Sequence, residues 1–214
     1  VKKIWNLLRL LAAVRRLIRN NQDIAAVFDI GEAAVRANPD QLMTRMLSRN
    51  PHGRAMIQAR KEFVVPPLRF LATLPEGSLG KEYSLFMLSQ GLDPEYYRRP
   101  SRVSDASYIL LHLRQTHDVW HVVTGYDTSA IGEVQIQSFM LAQVFSPVSM
   151  VLVGVGIFSG ILTKRDSFGS MLEAIVKAWL RGNTAYPLFG YDFANHWDRP
   201  LAEVRIELNL TRAS

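Results

Sequence analysis

The 214-residue sequence contains no cysteine. Disulfides, thiolate catalysis, cysteine-ligated zinc and iron–sulfur clusters are therefore excluded. A long hydrophobic run is also missing. The most apolar stretch, residues 148–162, has 15 residues, against the roughly 20 that span a bilayer as a helix. It reads as a buried helix in which Gly156 and Gly160 admit a close neighbour, with a transmembrane segment as the alternative. Sustained strand alternation, internal repeats and low-complexity segments are scarce or absent. Acid is lacking at one end. Residues 1–20 hold six of the 25 Lys and Arg residues and none of the 19 Asp and Glu, so the net charge of +6 resides there and the rest of the chain is neutral. Basicity confined to one end argues against a nucleic-acid-binding face. With 48% hydrophobic and 21% charged residues, the chain is globular in composition.

What is present is mostly helical in pattern. Residues 1–20 form a basic amphipathic helix, with Ile4, Leu7, Leu11, Val14 and Ile18 on one face and Lys2, Arg9 and Arg16 on the other. Such a helix suits either a lipid headgroup layer or the edge of a core. It is Arg-rich like a targeting peptide but lacks serine, and no signal-peptide cleavage region is recognisable. Residues 21–214 read as one all-helical domain, so the fold class is all-α, a multi-helix bundle. Helices are expected over 22–37, 40–47, 79–89, 105–124, from about 130, over 170–181, and from Pro200 to Leu208. Ser78 should cap the third of these and Gly91 close it. Ser104 or Asp105 should cap the long one, with Gly125 at its end. Asp127, Thr128 or Ser129 should cap the next, and Gly182 should close the helix over 170–181. Asn50-Pro51 is expected as a stop and Arg98-Arg99-Pro100 as a loop.

Two of the five histidines fall in His117-Asp118-Val119-Trp120-His121. At i and i+4 they share one face of a helix, and Asp118 flanks that face. Glu133 follows after a turn, Thr124-Gly125-Tyr126-Asp127, so an antiparallel hairpin carries it back towards the histidines. Two imidazoles and two carboxylates make a nitrogen–oxygen ligand set, suited to a divalent ion: zinc first, or iron or manganese if positions stay open. A helix with two polar core histidines and a capping acid is the competing reading. The HD-type phosphohydrolases also pair His with Asp. They need a further upstream His and downstream Asp, for which the chain offers His52 and Asp192 or Asp198.

The spacing HDxxHx11E, with Thr124-Gly125 after the second His and Gly132-Glu133 at the acid, resembles the signature of the coenzyme Q (ubiquinone) biosynthesis factor four family. Leu74-Pro75-Glu76-Gly77-Ser78-Leu79-Gly80-Lys81-Glu82-Tyr83 resembles that family's LPxGSLGxxY segment, which also reads as a helix cap with close packing. Ala178–Asn183 and Glu203-Val204-Arg205 fit more loosely, and the resemblance covers about residues 65–208.

The resemblance implies an all-α fold, a bound divalent metal, usually taken as zinc, and a role in quinone synthesis. Members are peripheral membrane proteins that associate with polyprenylated quinone intermediates. They are credited with organising the biosynthetic complex and with oxidative decarboxylation and hydroxylation at ring carbon C1. The expected partners are thus a polyprenyl lipid, a membrane surface, other quinone-biosynthesis proteins and a second copy of the chain. The expected place is the cytoplasmic face of a bacterial membrane or the matrix side of the mitochondrial inner membrane. Phe139, Met140, Val144 and Phe145 supply apolar surface just after the hairpin, either a groove for a polyprenyl tail or plain core. Arg114, three residues before His117, either meets an anionic head group or is a surface arginine.

Overall fold

The computed structural model describes residues 2–20, 23–37, 40–97, 104–163 and 168–211. Among them are eleven α-helices: α1 (Lys2–Arg19), α2 (Ile24–Ala37), α3 (Asp40–Ser48), α4 (Pro51–Ala59), α5 (Leu68–Leu71), α6 (Leu79–Gln90), α7 (Asp105–Thr124), α8 (Ala130–Val144), α9 (Pro147–Thr163), α10 (Phe168–Thr184) and α11 (Leu201–Glu207). The all-α expectation holds. The expected loop at Arg98-Arg99-Pro100 lies outside the described residues.

Side chains set the helix ends. The Ser78 hydroxyl accepts from the Lys81 amide, and Gly91 closes α6 at φ 62°. Ser104 caps α7 in a reciprocal pair with Ser107, and Gly125 ends it at φ 78°. Ser129 accepts from the Gly132 amide to start α8. Asn50-Pro51 is a start as well as a stop. The Asn50 side chain accepts from the His52 amide, and Pro51 occupies the first turn of α4, where a missing N–H costs nothing.

The long α7 forms the spine. It contributes Ile109, Leu113, Val119, Trp120 and Val123 to the main core, which α3, α4, α6, α8 and the C-terminal segment complete. The LPxGSLG segment is structural, as one reading held. Ser78 bridges Pro200, Leu79 N–H donates to the Arg199 carbonyl and Gly80 N–H to that of Trp197. These bonds lock the start of α6 against the chain leading into α11.

Two expectations are corrected. Gly182 does not close a helix, because α10 runs on to Thr184. It is a point of close approach between α8 and α10. α9 is only partly buried: Gly156 receives Val134 of α8 and Gly160 receives Met171 of α10, but Met150, Phe158, Ile161 and Leu162 are exposed. No described helix is long and apolar enough to cross a membrane.

A smaller core joins α1 to α2 and α9 through Ala13, Leu17, Ala26, Ile30 and Val155. Arg16 forks onto Asp23 and Asp29, each at 2.9 Å. The face of α1 that meets the protein is thus the line through Ala13 and Leu17. Of the apolar face expected from spacing, only Val14 is partly buried, and Ile4, Leu7, Leu11 and Ile18 remain exposed. Small Ala13 shares this core with buried Ala26 of α2, and the bulkier line stays outside.

Candidate metal centre

The last turns of α7 and the first turn of α8 build the site. Gly125 turns the chain, and the absence of a side chain at Gly132 lets α8 begin against the Asp127 carbonyl. The hairpin then brings Glu133 back over His117 and His121. The end of α7 is held from outside. Arg205 donates to the carbonyls of Val122 and Val123 at 2.9 and 3.0 Å, and Arg181 to that of Thr124 at 2.7 Å. Cations at a helix C-terminus complement its dipole.

The two imidazoles stand edge to face, 4.7 Å between centroids. His121 is buried, stacked on Phe86 of α6. Its Nδ1 lies 2.9 Å from the Tyr126 carbonyl, so Nδ1 carries the proton and Nε2 the lone pair. That Nε2 is 3.4 Å from Glu133 Oε1, and His117 Nε2 is 3.9 Å from Glu133 Oε2. One ligand atom from each of the three residues lies within 4.8 Å of the others. Bonds of about 2.0–2.1 Å to a tetrahedral ion put neighbouring ligand atoms about 3.3 Å apart; the His121–Glu133 pair, at 3.4 Å, already stands at that spacing, and the rest of the group lies wider. His121 Nε2 is buried without a hydrogen bond, the condition that a bound ion relieves. These three residues fit a divalent metal.

Charge settles the same way. Burial opposes protonation of His117, but the hydrogen bond it donates to Asp118 and the charges of Glu133 and Asp118 lift its pKa above the ordinary value. Burial also opposes the Glu133 carboxylate. The adjacent His121 imidazole and the charge of His117 nevertheless hold its pKa below the usual range. Glu133 is thus an anion, and its place in the first turn of α8 adds the favourable helix dipole.

The other expected residues fall as follows. Asp118 sits at 3.3 Å from His117 Nδ1, outside the three-residue group. Gln137, which sequence reading passed over, has its amide 3.5 Å from His117 Nε2. Its signal was its position one turn after Glu133 on the same face. Arg114 lies over the Phe28 ring of α2 at 4.8 Å. Phe139, Met140 and Val144 are buried in the main core, Phe139 against Trp120 and Tyr126. Phe145 ends α8 at φ 50°, half-buried. His52 lies on α4, and Asp192 pairs with Lys61 at 3.9 Å. Neither they nor Asp198 join a metal-ligating group among the described residues, so the phosphohydrolase alternative is not favoured.

A sequence model of the family described as "Coenzyme Q (ubiquinone) biosynthesis protein Coq4" matches residues 5–214. The chain belongs to the Coq4 family. The mitochondrial ubiquinone biosynthesis protein COQ4 homolog of Rattus norvegicus is 28% identical over 171 residues, 77% of this chain and 63% of that protein. The mitochondrial coq-4 protein of Caenorhabditis elegans is 31% identical over 152 residues, 68% of this chain and 63% of that protein. The chain therefore spans somewhat under two thirds of these Coq4 relatives. A crystal structure of a candidate ubiquinone biosynthesis protein from Nostoc punctiforme superposes with a TM-score of 0.85 at 28% identity, covering 95% of this chain and 98% of that one. That structure shares the helical arrangement nearly end to end.

Proposed function

We propose that this Coq4-family chain holds one divalent ion on His117, His121 and Glu133 and presents it to the head of a polyprenylated aromatic acid in ubiquinone or related quinone synthesis. The observation that carries the reading is the convergence of three ligand groups, one a buried nitrogen without a hydrogen bond, in a member of a ubiquinone biosynthesis family. Zinc is the first assignment; iron or manganese suits the same atoms when positions stay open. Bound there, the ion supplies Lewis acidity to a phenolate or carboxylate.

The chain's own groups shape the rest. His117 and Glu133 are the half-exposed members, with side-chain exposures of 25% and 42%, and His121 closes the floor at 1%. A head group therefore approaches from the side of His117, Glu133 and Gln137. Because Phe139, Met140 and Val144 are core, a tail reaches them only by opening it. The exposed apolar faces of α1 and α9 are the surface we assign to the membrane in which such tails dissolve. The protein is then peripheral, on the matrix side of the mitochondrial inner membrane or the cytoplasmic face of a bacterial one, beside other quinone-biosynthesis proteins and a second copy of itself.

Beyond organising that assembly, the site suits C1 oxidative decarboxylation. The ring carboxyl leaves as carbon dioxide, a hydroxyl supplied by water takes its place, and the two electrons and two protons released reduce dioxygen to hydrogen peroxide. The experiment combines elemental analysis of wild type and His117→Ala/His121→Ala with mass spectrometry of a prenylated 4-hydroxybenzoate-type acid incubated aerobically with wild type and Glu133→Gln. One ion per wild-type chain, none in the double variant, and hydroxylated product from wild type alone are expected. Equal metal in both proteins sinks the metal centre. Tight binding without turnover leaves the organising role and removes the catalytic one.

A further inference from the structure

We propose that the α1–α2 hairpin is a membrane-triggered cover: it parts from α9 and α7 as one unit when α1 enters an anionic bilayer, and opens the apolar seam beneath it to the lipid. The inference rests on the membrane reading above and deepens it. It starts from a division in the packing. The seam is built on Ala13 and Leu17 of α1, Ala26 and Ile30 of α2, and Val155 of α9. Among the described residues, none of α1, α2 or α9 enters the main core. The hairpin can therefore part from the body without disturbing the packing of α7 and its partners.

The contacts within the hairpin and beneath it differ in chemistry. Within it, polar bonds join the helices. Arg16 donates to both carboxylate oxygens of Asp23 at 2.9 and 3.0 Å and to Asp29 at 2.9 Å, and the Asn6 amide donates to the Ala33 carbonyl at 2.9 Å. Towards α9 the seam is aliphatic, with Val151 and Leu152 packed beside Val155. Towards α7, Phe28 lies over the Arg114 guanidinium at 4.8 Å, and Gly31 makes room for it: a Cβ there would stand 2.7 Å from Arg114 Nη2. Water opposes the opening of an aliphatic seam, because apolar surface is exposed. Lipid chains do not, since they are as apolar as the side chains they replace. The polar bonds strengthen in the same surroundings, so α1 stays on α2 while both leave the body.

The trigger is α1 itself. Trp5, Leu7, Leu8 and Leu11 are more than half exposed, and the six cations of residues 1–20 have no acid among them. Arg114 stands three residues before His117, so lifting Phe28 uncovers α7 about one turn from the exposed edge of the candidate site. A ligand whose tail lies in the bilayer then has a dry path to that edge.

The chain has no cysteine, so introduced thiols report without background. Spin labels are placed on Ala25→Cys/Ser89→Cys, which spans α2 to α6, and on Ala12→Cys/Ala25→Cys, which spans α1 to α2; all three positions are exposed. Distances are measured by double electron–electron resonance on the full chain, in buffer and on floated vesicles of phosphatidylcholine and phosphatidylglycerol. On vesicles the α2–α6 distance should lengthen by about 10 Å, a helix diameter, while the α1–α2 distance holds. With Asp23→Asn/Asp29→Asn added, the α1–α2 distance should lengthen too, because Arg16 has lost its charged partners. Floated protein with an unchanged α2–α6 distance overturns the cover and leaves the membrane reading standing. Lengthening of both distances without the Asn substitutions overturns the single unit. Protein that does not float overturns the membrane reading and the trigger with it. A second measurement needs no lipid. Val155 and Val122 are 9% and 7% exposed, the first in the seam and the second in the main core. Val155→Cys should react with a maleimide in buffer roughly tenfold faster than Val122→Cys, because the seam opens without global unfolding. Equal rates overturn the separability of the hairpin.

Discussion

Gly182 of α10 lies so close to α8 that a Cβ at this position would stand 2.8 Å from the Phe139 carbonyl oxygen and 2.8 Å from the Ala142 Cβ. The Gln143 side chain secures the same crossing, donating to the Gly182 carbonyl at 2.6 Å and accepting from the Leu188 amide at 3.0 Å. α8 carries Glu133, so this contact fixes the helix that closes the metal centre.

Gly182→Ala should therefore destabilise the protein, because the facing atom is backbone and one of the helices must shift. Overpacking of this kind costs about 1–3 kcal/mol. Gly154, on the exposed face of α9, has nothing within 4 Å of its added Cβ. Gly154→Ala should stabilise by roughly 0.5–1 kcal/mol, since alanine is the better residue in a helix interior. Urea unfolding of both variants against wild type checks the opposed signs. Equal effects would mean that α10 does not bear on α8 at this point.

The sequence displays this arrangement unevenly, and the reasons are physical. Caps are local, so Ser78, Gly91 and Gly125 are legible from neighbouring residues alone. The two histidines one turn apart and the following turn are equally local, and Glu133 follows from them. Gly182 could not be placed from sequence, because a glycine at a helix end and a glycine at a crossing look alike until the partner helix is known. The same holds for α1. A 3.6-residue spacing defines its faces, but the choice of Ala13 and Leu17 for the core is made by the approach of α2. Phe139 and Val144 were ambiguous for the opposite reason: burial in a core and exposure in a groove demand the same residue types. Asp118 is one residue from His117, and only the ring's orientation shows which nitrogen it meets.

His112 supplies a pH dependence. It is buried among the rings of Phe63, Tyr108 and Phe189, 6.5, 6.0 and 5.0 Å away between centroids. Burial pushes its pKa down to about 4 from 6.5. Below about pH 6.5 the unfolded chain takes up a proton at this residue that the folded chain refuses. Stability therefore falls with acidification until the folded value is reached. Between pH 7 and pH 5 this one group should remove about 2 kcal/mol. His112→Phe keeps a ring in the aromatic box and removes the titration, so its urea midpoint should fall less than that of wild type over the same interval. An identical fall in both proteins would place the acid sensitivity elsewhere.

The last prediction concerns α1 and the membrane surface proposed above. Leu7, Leu8 and Leu11 are each more than half exposed, although apolar, and Arg9, Arg15 and Arg19 stand among them on the same helix with no acid in residues 1–20. An apolar stripe with cations beside it suits the boundary between headgroups and acyl chains of an anionic bilayer, where each cation near the surface contributes about 1 kcal/mol before screening. The protein should float with vesicles of phosphatidylcholine and phosphatidylglycerol, float less with phosphatidylcholine alone, and be released as salt shortens the screening length. Leu7→Gln/Leu11→Gln should reduce flotation with little change in melting temperature, because both side chains face away from Ala13 and Leu17, which hold α1 to the protein. Flotation equal to wild type in that variant would take the lipid contact away from α1 and leave Met150, Phe158 and Ile161 of α9 as the exposed apolar residues to vary next.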